Sequence, residues 1–416
     1  MLTAESRTET DGEGSEPTAP TGLRGVRARV EGWVRWVAPA VGIYLGLRVI
    51  SLATFVGLAK YHHTKVGPVG LLRSWDGWWY LRIAQSGYGH AYHSSFGNRP
   101  PYDGKAFFPL YPFLMRAVHT VTPLGLSGAG LLITFVSALF AAAGIFAVGE
   151  HVFDRRVGVL AAALWAVVPH AIVESMVYSE ALFTALASWA LYATLRRRWV
   201  LAGALTGICG LTRPTAAALV AAVGLAALVA VVRRRDGWRP WLAMALSPLG
   251  LAGYVAWVGY EKGSPTGYFK VQKEAWTMHF DGGAYTFRRM LDVLGGKKDP
   301  HDVVYPPSVD LQRTGFVVAT LLLIAILLLL ALQYLRRDPL PLLVFATVSV
   351  LTVYCSASYY ASKPRHLLPV FTLLFPLAAL LARARDRSLA LGLVTLAGVS
   401  GWYAAYLLVF YGWVAL

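Results

Sequence analysis

The sequence predicts an all-α, polytopic membrane protein of about eleven transmembrane helices. Two observations carry this reading. The 416 residues are 56% hydrophobic and 14% charged, where a soluble domain carries about 25% charged residues, and the mean hydropathy is +0.52. Apolar runs of span length also recur along the chain, separated by short connectors that carry arginine, and about 20 apolar residues cross ~30 Å of hydrocarbon.

The first element is a tail. Residues 1–22 are polar and rich in Thr, Glu, Gly and Pro, so residues 1–30 are expected to be a disordered cytoplasmic tail and residues 31–416 a single transmembrane domain. The first apolar run begins near Trp36, after Arg24, Arg27, Arg29 and Arg35, and continues to about Ala59. That is too long for a signal-peptide core, so it reads as a retained span with its N-terminus in the cytoplasm. The expected spans are 36–58, 128–149, 157–175, 179–195, 199–213, 215–232, 239–260, 314–335, 340–358, 366–382 and 389–411. Pro214 divides 199–213 from 215–232, which fit two tilted helices or one kinked element plus a partial one.

Alternation tests the topology. With the N-terminus inside, Arg155 and Arg156, Arg196 to Arg198, Arg233 to Arg239, Arg336 and Arg337, and Arg383 to Arg387 all fall on the cytoplasmic side. That is the positive-inside pattern, and it accounts for the net charge of +16 without nucleic acid, since no basic stripe carries exposed aromatics. The outer segments are then a loop at about 59–127, a turn near 170–178, the Thr212–Pro214 break, a loop at 261–313 and a turn at Tyr359–Arg365. Loops as long as the first and fourth are usually functional. Gly42–Gly46 and Gly203–Gly207 match small-xxx-small helix packing. Cys209 and Cys355 lie inside apolar runs and read as small packing residues, not a disulfide framework or a zinc site.

The ionisable residues kept on the outer side are the functional candidates. Ser74-Trp75-Asp76-Gly77-Trp78-Trp79-Tyr80 is either an interfacial aromatic belt with a solvated or N-capping Asp76, or a carboxylate in a sugar-friendly niche of Trp75, Trp78 and Trp79. Partial desolvation would raise the pKa of such a carboxylate and suit it to general-base work. In Lys105-Ala106-Phe107-Phe108-Pro109-Leu110-Tyr111-Pro112 two prolines three residues apart are expected to preclude an ordinary helix interior, leaving a re-entry segment or an interfacial wall for a lipid chain. His170, Glu174, Tyr178 and Glu180 stand together at the outer membrane level, where ionisable groups face a protein interior or a cavity. Glu174 and Glu180 can bind hydroxyls, pair with Arg213 or cap helices, and Ser179 suits an N-cap. Arg213, Lys363, Arg365 and His366 are basic residues on the side that the charge bias depletes, which suits either snorkelling or a lipid phosphate. His62-His63 is a poor metal pair because adjacent side chains diverge. Tyr268, Lys270, Lys273, Trp276, His279, Asp281 and Arg288 could line a groove in the second long loop. No metal and no cofactor are expected.

Ser74-Trp75-Asp76, Ala106-Phe107-Phe108-Pro109 with Pro112, Tyr178-Ser179-Glu180-Ala181-Leu182-Phe183 and Thr212-Arg213 resemble, in that order, the motifs of the PIG-V-type mannosyltransferases. The resemblance covers residues 40–220 well and the C-terminal half weakly. It implies a GT-C glycosyltransferase with catalysis outside the cytoplasm, a polyprenyl-phosphate mannose donor, and inversion to an α-mannoside. It also implies a catalytic base at Asp76, which matches the acid of the first outer loop. Arg213, Arg365 and Lys363 are then candidates for the donor phosphate. Trp75, Trp78, Trp79, Lys105, His170, Glu174, Tyr178, Glu180 and His366 are candidates for substrate contacts. Eukaryotic members act on a GPI precursor; the Ala, Gly, Val and Arg richness here looks like a GC-rich bacterial genome, so the acceptor stays an unassigned glycan, glycolipid or protein. The alternatives are transfer of another polyprenyl-linked sugar and transport of a lipid-linked sugar. The expected location is the plasma membrane.

Overall fold

The computed structural model describes residues 23–89, 91–92, 102–297 and 309–410. Within them the apolar runs fold as helices and the connectors as turns. The helices in chain order are α1 (Leu23–Tyr61), α2 (Gly67–Leu71), α3 (Asp76–Ser86), α4 (Leu110–Val121), α5 (Leu126–Val152), α6 (Arg155–Val167), α7 (Glu180–Leu195), α8 (Trp199–Cys209) and α9 (Ala216–Val232). They continue as α10 (Arg239–Leu246), α11 (Leu249–Glu261), α12 (Gly267–Trp276), α13 (Ala284–Leu294), α14 (Val309–Leu335), α15 (Leu340–Tyr354), α16 (Lys363–His366), α17 (Leu374–Leu381) and α18 (Asp386–Ala405). Among the described residues, strand is limited to two antiparallel pairs, β1 (Ala91–Tyr92) with β2 (Tyr102–Asp103) and β3 (His279–Phe280) with β4 (Ser356–Ala357). The protein is all-α, as its composition predicts.

Residues 1–39 and 40–416 form separate compact units. In the first, α1 starts at Leu23, inside the segment expected to be a disordered tail; residues 1–22 lie outside the described residues. Everything below concerns the second unit.

Five helical stretches are long and apolar enough to cross a membrane: Arg27–Tyr61, Leu126–Val152, Arg239–Glu261, Arg313–Leu335 and Asp386–Phe410. A sixth arises if Tyr360–His366 and Phe371–Leu381, which meet at 82°, count as one span. The other expected spans are shorter helices, and the breaks have local causes. The run 157–175 ends as α-helix at Val167, two residues before Pro169, and continues as a 3-10 turn at Ala171–Ser175. The run 199–213 stops at Cys209 ahead of Pro214, whose missing N–H and ring clash with the carbonyl four residues earlier, that of Gly210, stop the helix from running through. Residue 411 of the last run lies outside the described residues.

The two segments expected to be long loops contain α2, α3, α4, α12 and α13 among their described residues. Pro109 and Pro112 stand at a helix start and not in a helix interior. Pro109 is the N-cap of α4 and Pro112 lies in its first turn, where the missing N–H has no intrahelical acceptor to lose.

The core is built by close helix contacts through small residues. α5 packs on α6 and α7, α8 on α7 and α10, and α15 on α9. Ala141, Ala142, Ala161, Ala162, Ala187 and Ala190 are all fully buried. Of the two glycine pairs expected to mediate packing, Gly203 and Gly207 do: a Cβ on Gly203 would lie 2.7 Å from Ala243 Cα, and one on Gly207 2.7 Å from the Leu246 carbonyl oxygen. Gly42 and Gly46 face open space and make no such contact. Gly207→Val should therefore destabilise the protein by about 1–3 kcal/mol through overpacking. Gly46→Ala should be neutral or stabilising by up to about 1 kcal/mol through helix propensity. Thermal melts of the detergent-purified variants check both.

Candidate functional site

Four helix junctions bring one charged cluster together. Asp76 is the first residue of α3 and Glu180 the first of α7, and a helix start favours a carboxylate. Arg213 sits in the break between α8 and α9 that Pro214 enforces. Arg365 lies in α16. The fully buried Glu180 carboxylate meets both arginines, at 2.5 Å from Arg213 Nη1 and 3.6 Å from Arg365 Nε through the same oxygen. Arg365 Nη2 reaches Asp76 Oδ2 at 2.9 Å. Arg213 Nη2 donates to His366 Nδ1 at 3.0 Å. Arginine has no acceptor atom, so His366 presents Nδ1 unprotonated.

The frame around this cluster is backbone and tyrosine. Val177 N–H donates to the Leu72 carbonyl at 2.9 Å and joins the α2–α3 connector to the bent segment before α7. The Tyr178 hydroxyl accepts from Asp76 N–H at 3.3 Å and donates to the Ser74 carbonyl at 3.4 Å. Its ring lies under the Arg365 guanidinium, 5.2 Å away. Tyr80 OH and Ser179 Oγ are 2.7 Å apart. Ser179 thus occupies the N-cap position of α7, but its side chain makes no capping bond; it serves Tyr80 instead. Trp75 takes φ 56°, a left-handed conformation that is uncommon outside glycine and costly for a bulky residue, immediately before Asp76.

Asp76 differs from Glu180 in access. Its side chain is 21% exposed against 0% for Glu180. Burial pushes its carboxyl above the ordinary carboxylate range, with the Glu180 charge adding to that rise and Arg365 and Arg213 opposing it. Arg365 is 4% exposed, and its Nη1 has no hydrogen-bond partner among the described residues. The cluster therefore offers one reachable carboxylate and one buried guanidinium edge with an unused donor, and unused buried donors are costly unless something else accepts from them.

The other predicted residues fall elsewhere. Lys363 is fully buried and donates to the carbonyls of Val353 at 2.7 Å and Ser356 at 2.6 Å, so its ammonium is used in holding the chain beyond α15 and does not reach the arginines by any direct bond. Glu174 pairs with Tyr44 OH at 2.8 Å and Arg48 Nε at 4.0 Å, not with Arg213. His170 is buried, edge-on to Tyr403. Lys105 reaches Glu261 at 3.9 Å in a strap that also pairs Asp103 with Lys262 at 2.6 Å. Trp79 is buried with its ring stacked on Phe107 and edged by Trp276, which takes its face from any sugar. Trp78 is 38% exposed. Tyr80 and Arg48 are site or near-site residues that sequence reasoning passed over. Arg48 had a signal, being a cation inside an apolar span. Tyr80 had only its place in the aromatic motif. Among the described residues no three His, Cys, Asp or Glu side chains gather in a way that could hold a metal ion.

Comparison with known proteins adds the following. The family described as dolichyl-phosphate-mannose-protein mannosyltransferase matches residues 101–259, a segment that contains Glu180 and Arg213 and lies between Asp76 and Arg365. No curated protein matches the sequence. Among solved structures, ArnT from Cupriavidus metallidurans bound to undecaprenyl phosphate is similar at 15% identity and a TM-score of 0.49, over 87% of this chain and 63% of that one. The archaeal oligosaccharyltransferase AglB from Archaeoglobus fulgidus, in complex with an inhibitory peptide and a dolichol-phosphate, is similar at 16% identity and a TM-score of 0.43, over 89% and 56%. The chain thus spans less than two thirds of the length of either.

Lys363 and Arg365 of α16 separate by experiment. Lys363→Met removes the donor to the Ser356 carbonyl and leaves the Val353 carbonyl with only the Ser356 hydroxyl, which should cost about 1–3 kcal/mol, read as a lowered Tm, with affinity for polyprenyl phosphate unchanged. An unchanged Tm with lost affinity would place the Lys363 amine in the phosphate site.

Proposed function

We propose that the protein transfers mannose from a polyprenyl-phosphate donor to an acceptor hydroxyl, on the extracytoplasmic face of the plasma membrane, by a single inverting displacement. The observation that carries this is the Asp76–Arg365–Glu180–Arg213 cluster, in which the one accessible carboxylate is bonded to a buried guanidinium that has a donor to spare. The family matched over residues 101–259 is described by a phosphate-linked mannose donor, which supports the choice of sugar and carrier. The arginine-rich connectors of the sequence support the orientation.

In this reading Asp76 accepts the proton of the acceptor hydroxyl as that oxygen attacks the anomeric carbon. The new glycosidic bond forms on one face while the bond to the phosphate oxygen breaks on the other, so the centre inverts. The leaving polyprenyl phosphate goes from one negative charge to two. Arg213 and Arg365, fixed in advance by Glu180, meet that growing charge without reorganising, which is where electrostatic catalysis gains most. A phosphate is a good leaving group without a proton, so one carboxylate base suffices.

The same geometry makes donor and base interdependent. In the ligand-free cluster Arg365 holds Asp76, and its charge opposes the rise in the carboxyl's pKa. A donor phosphate that takes up part of Arg365 weakens that hold and makes Asp76 a stronger base when substrate is present.

Asp76→Asn should lower transfer about 10²–10⁴-fold while the protein still accumulates in membranes and binds donor, whereas Arg213→Ala should weaken donor binding about tenfold or more. Transfer of labelled mannose and direct titration with polyprenyl phosphate measure the two. Near-normal turnover in purified Asp76→Asn removes Asp76 as the base. A second check is pH. Asp76 must be ionised to act, and its carboxyl stands above the ordinary range, so kcat/KM should fall on the acid side at a pH above that of an ordinary aspartate. Arg365→Gln removes a charge that lowers this pKa and should move the acid limb further up. A limb that stays or moves down would separate Arg365 from the base.

A further inference from the structure

We propose that the cleft between α5, α7 and α8 holds one acyl chain of an anionic phospholipid, whose phosphate pairs with Arg198. The cleft measures about 490 Å³, and its walls include Phe140 from α5, Leu182 and Leu186 from α7, and Leu201 and Leu205 from α8. Arg198 is the one charged residue of its lining. Phe140 and Leu201 are exposed, so the cleft is reachable from outside the bundle. Packing keeps it open. A Cβ on Gly144 of α5 would collide with Ser188 of α7, so these two helices already touch and cannot close further. Trp189 Nε1 donates to the Phe140 carbonyl at 3.0 Å along the same contact. An unfilled apolar space forfeits its dispersion contacts, and a lipid chain is the partner that a bilayer supplies.

The end of α7 delivers the cation. Arg196 is the C-cap, Arg197 takes φ 54°, and the N–H groups of Arg197 and Arg198 bond back to the carbonyls of Thr194 at 3.0 Å and Ala193 at 2.8 Å. This is a Schellman turn, in which the second residue past the cap packs against the last turn of the helix. Arg198 is that residue, and it shares the cleft wall with Ala193. Arg197 beside it pairs with Asp236 at 4.0 Å. Among the described residues the Arg198 guanidinium has no hydrogen-bond or ion-pair partner. A cation at the mouth of an apolar cleft between helices suits a lipid phosphate with its chain attached. The dimensions select one chain. Between Leu182 and Ala193 of the lining the helix rises about 16 Å, close to the ~15 Å of one leaflet and about half of what a crossing helix needs. The donor's carrier is held elsewhere in the reading above: its phosphate meets Arg213 and Arg365 beside Glu180, at the opposite end of α7 from Arg198.

The test uses the full chain in detergent micelles. Dioleoyl phosphatidylglycerol and dioleoyl phosphatidylcholine are the probes, and native mass spectrometry counts the bound lipid. The wild type should bind phosphatidylglycerol about fivefold more tightly, which is what one cation near an anionic headgroup contributes. Arg198→Gln should abolish that preference and Arg198→Lys should keep it, since a point charge suffices for a phosphate. Leu186→Trp fills the cleft and should weaken phosphatidylglycerol binding about tenfold at an unchanged Tm; Leu205→Trp fills it from α8 should the first variant unfold. Affinity for polyprenyl phosphate should be the same in every variant. Equal binding of the two lipids by the wild type, or an unchanged preference in Arg198→Gln, overturns the headgroup contact, and unchanged binding in the tryptophan variants overturns the cleft. Two other results give the cleft to a different occupant and overturn the proposal. Lost polyprenyl phosphate binding in the tryptophan variants would assign it to the donor's chain, and a wild-type dimer that those variants dissociate would assign it to a second copy. None of these readouts depends on sugar transfer.

Discussion

One buried carboxylate organises the charged centre of this protein. Glu180 holds Arg213 and Arg365 through a single oxygen, and without it two guanidinium groups would stand nearly buried with only Asp76 to balance them. Buried ion pairs are weak contributors to stability but severe to break, because the partner left behind keeps its desolvation cost. The arrangement is therefore a constraint on geometry more than a source of stability. It sets two cations at a fixed separation from each other and leaves Asp76 as the one acid with access to solvent.

That constraint can be met only because the chain breaks its helices at the right places. Glu180 opens α7, Arg213 follows α8, Arg365 lies in the short α16, and Asp76 opens α3. In each case the charged residue sits where backbone N–H or C=O groups have no intrahelical partner and polar company is welcome. Pro214 and Pro364 mark two of these breaks. The long loops then lock onto the junctions. Leu110 N–H bonds to the Leu211 carbonyl, and Val177 N–H to the Leu72 carbonyl, so the start of α4 is tied to the break after α8, and the segment before α7 to the end of α2.

A second buried polar network surrounds Glu174. Arg48 in α1 reaches the Ala166 carbonyl, Ser175 and Glu174, and Glu174 accepts from Tyr44. These bonds hold the 3-10 turn at Ala171–Ser175, which leads directly into Tyr178 and Glu180. The two glutamates on either side of Tyr178 thus divide between two tasks. Glu174 fixes the turn to the first helix of its unit, and Glu180 fixes the arginines.

The sequence by itself determined the all-helical class, the positions of the apolar runs, and the identity of Asp76, Glu180, Arg213, Arg365 and His366 as residues of interest. Hydropathy and proline placement are local properties, and a charge beside an apolar run is costly enough to be visible wherever it stands. It could not tell which charge meets which. Lys363 and Arg365 are two residues apart and look alike in the sequence, yet one ammonium is consumed by the Val353 and Ser356 carbonyls while the other cation faces Asp76 and Glu180. Glu174 and Glu180 divide in the same way between Arg48 and Arg213. Trp78 and Trp79 are adjacent, and only packing against Phe107 and Trp276 buries the second. Pairing depends on direction and depth, whether the partners are ten positions apart, as Lys363 and Val353 are, or on distant helices, as Asp76 and Arg365 are, and only the tertiary structure supplies those.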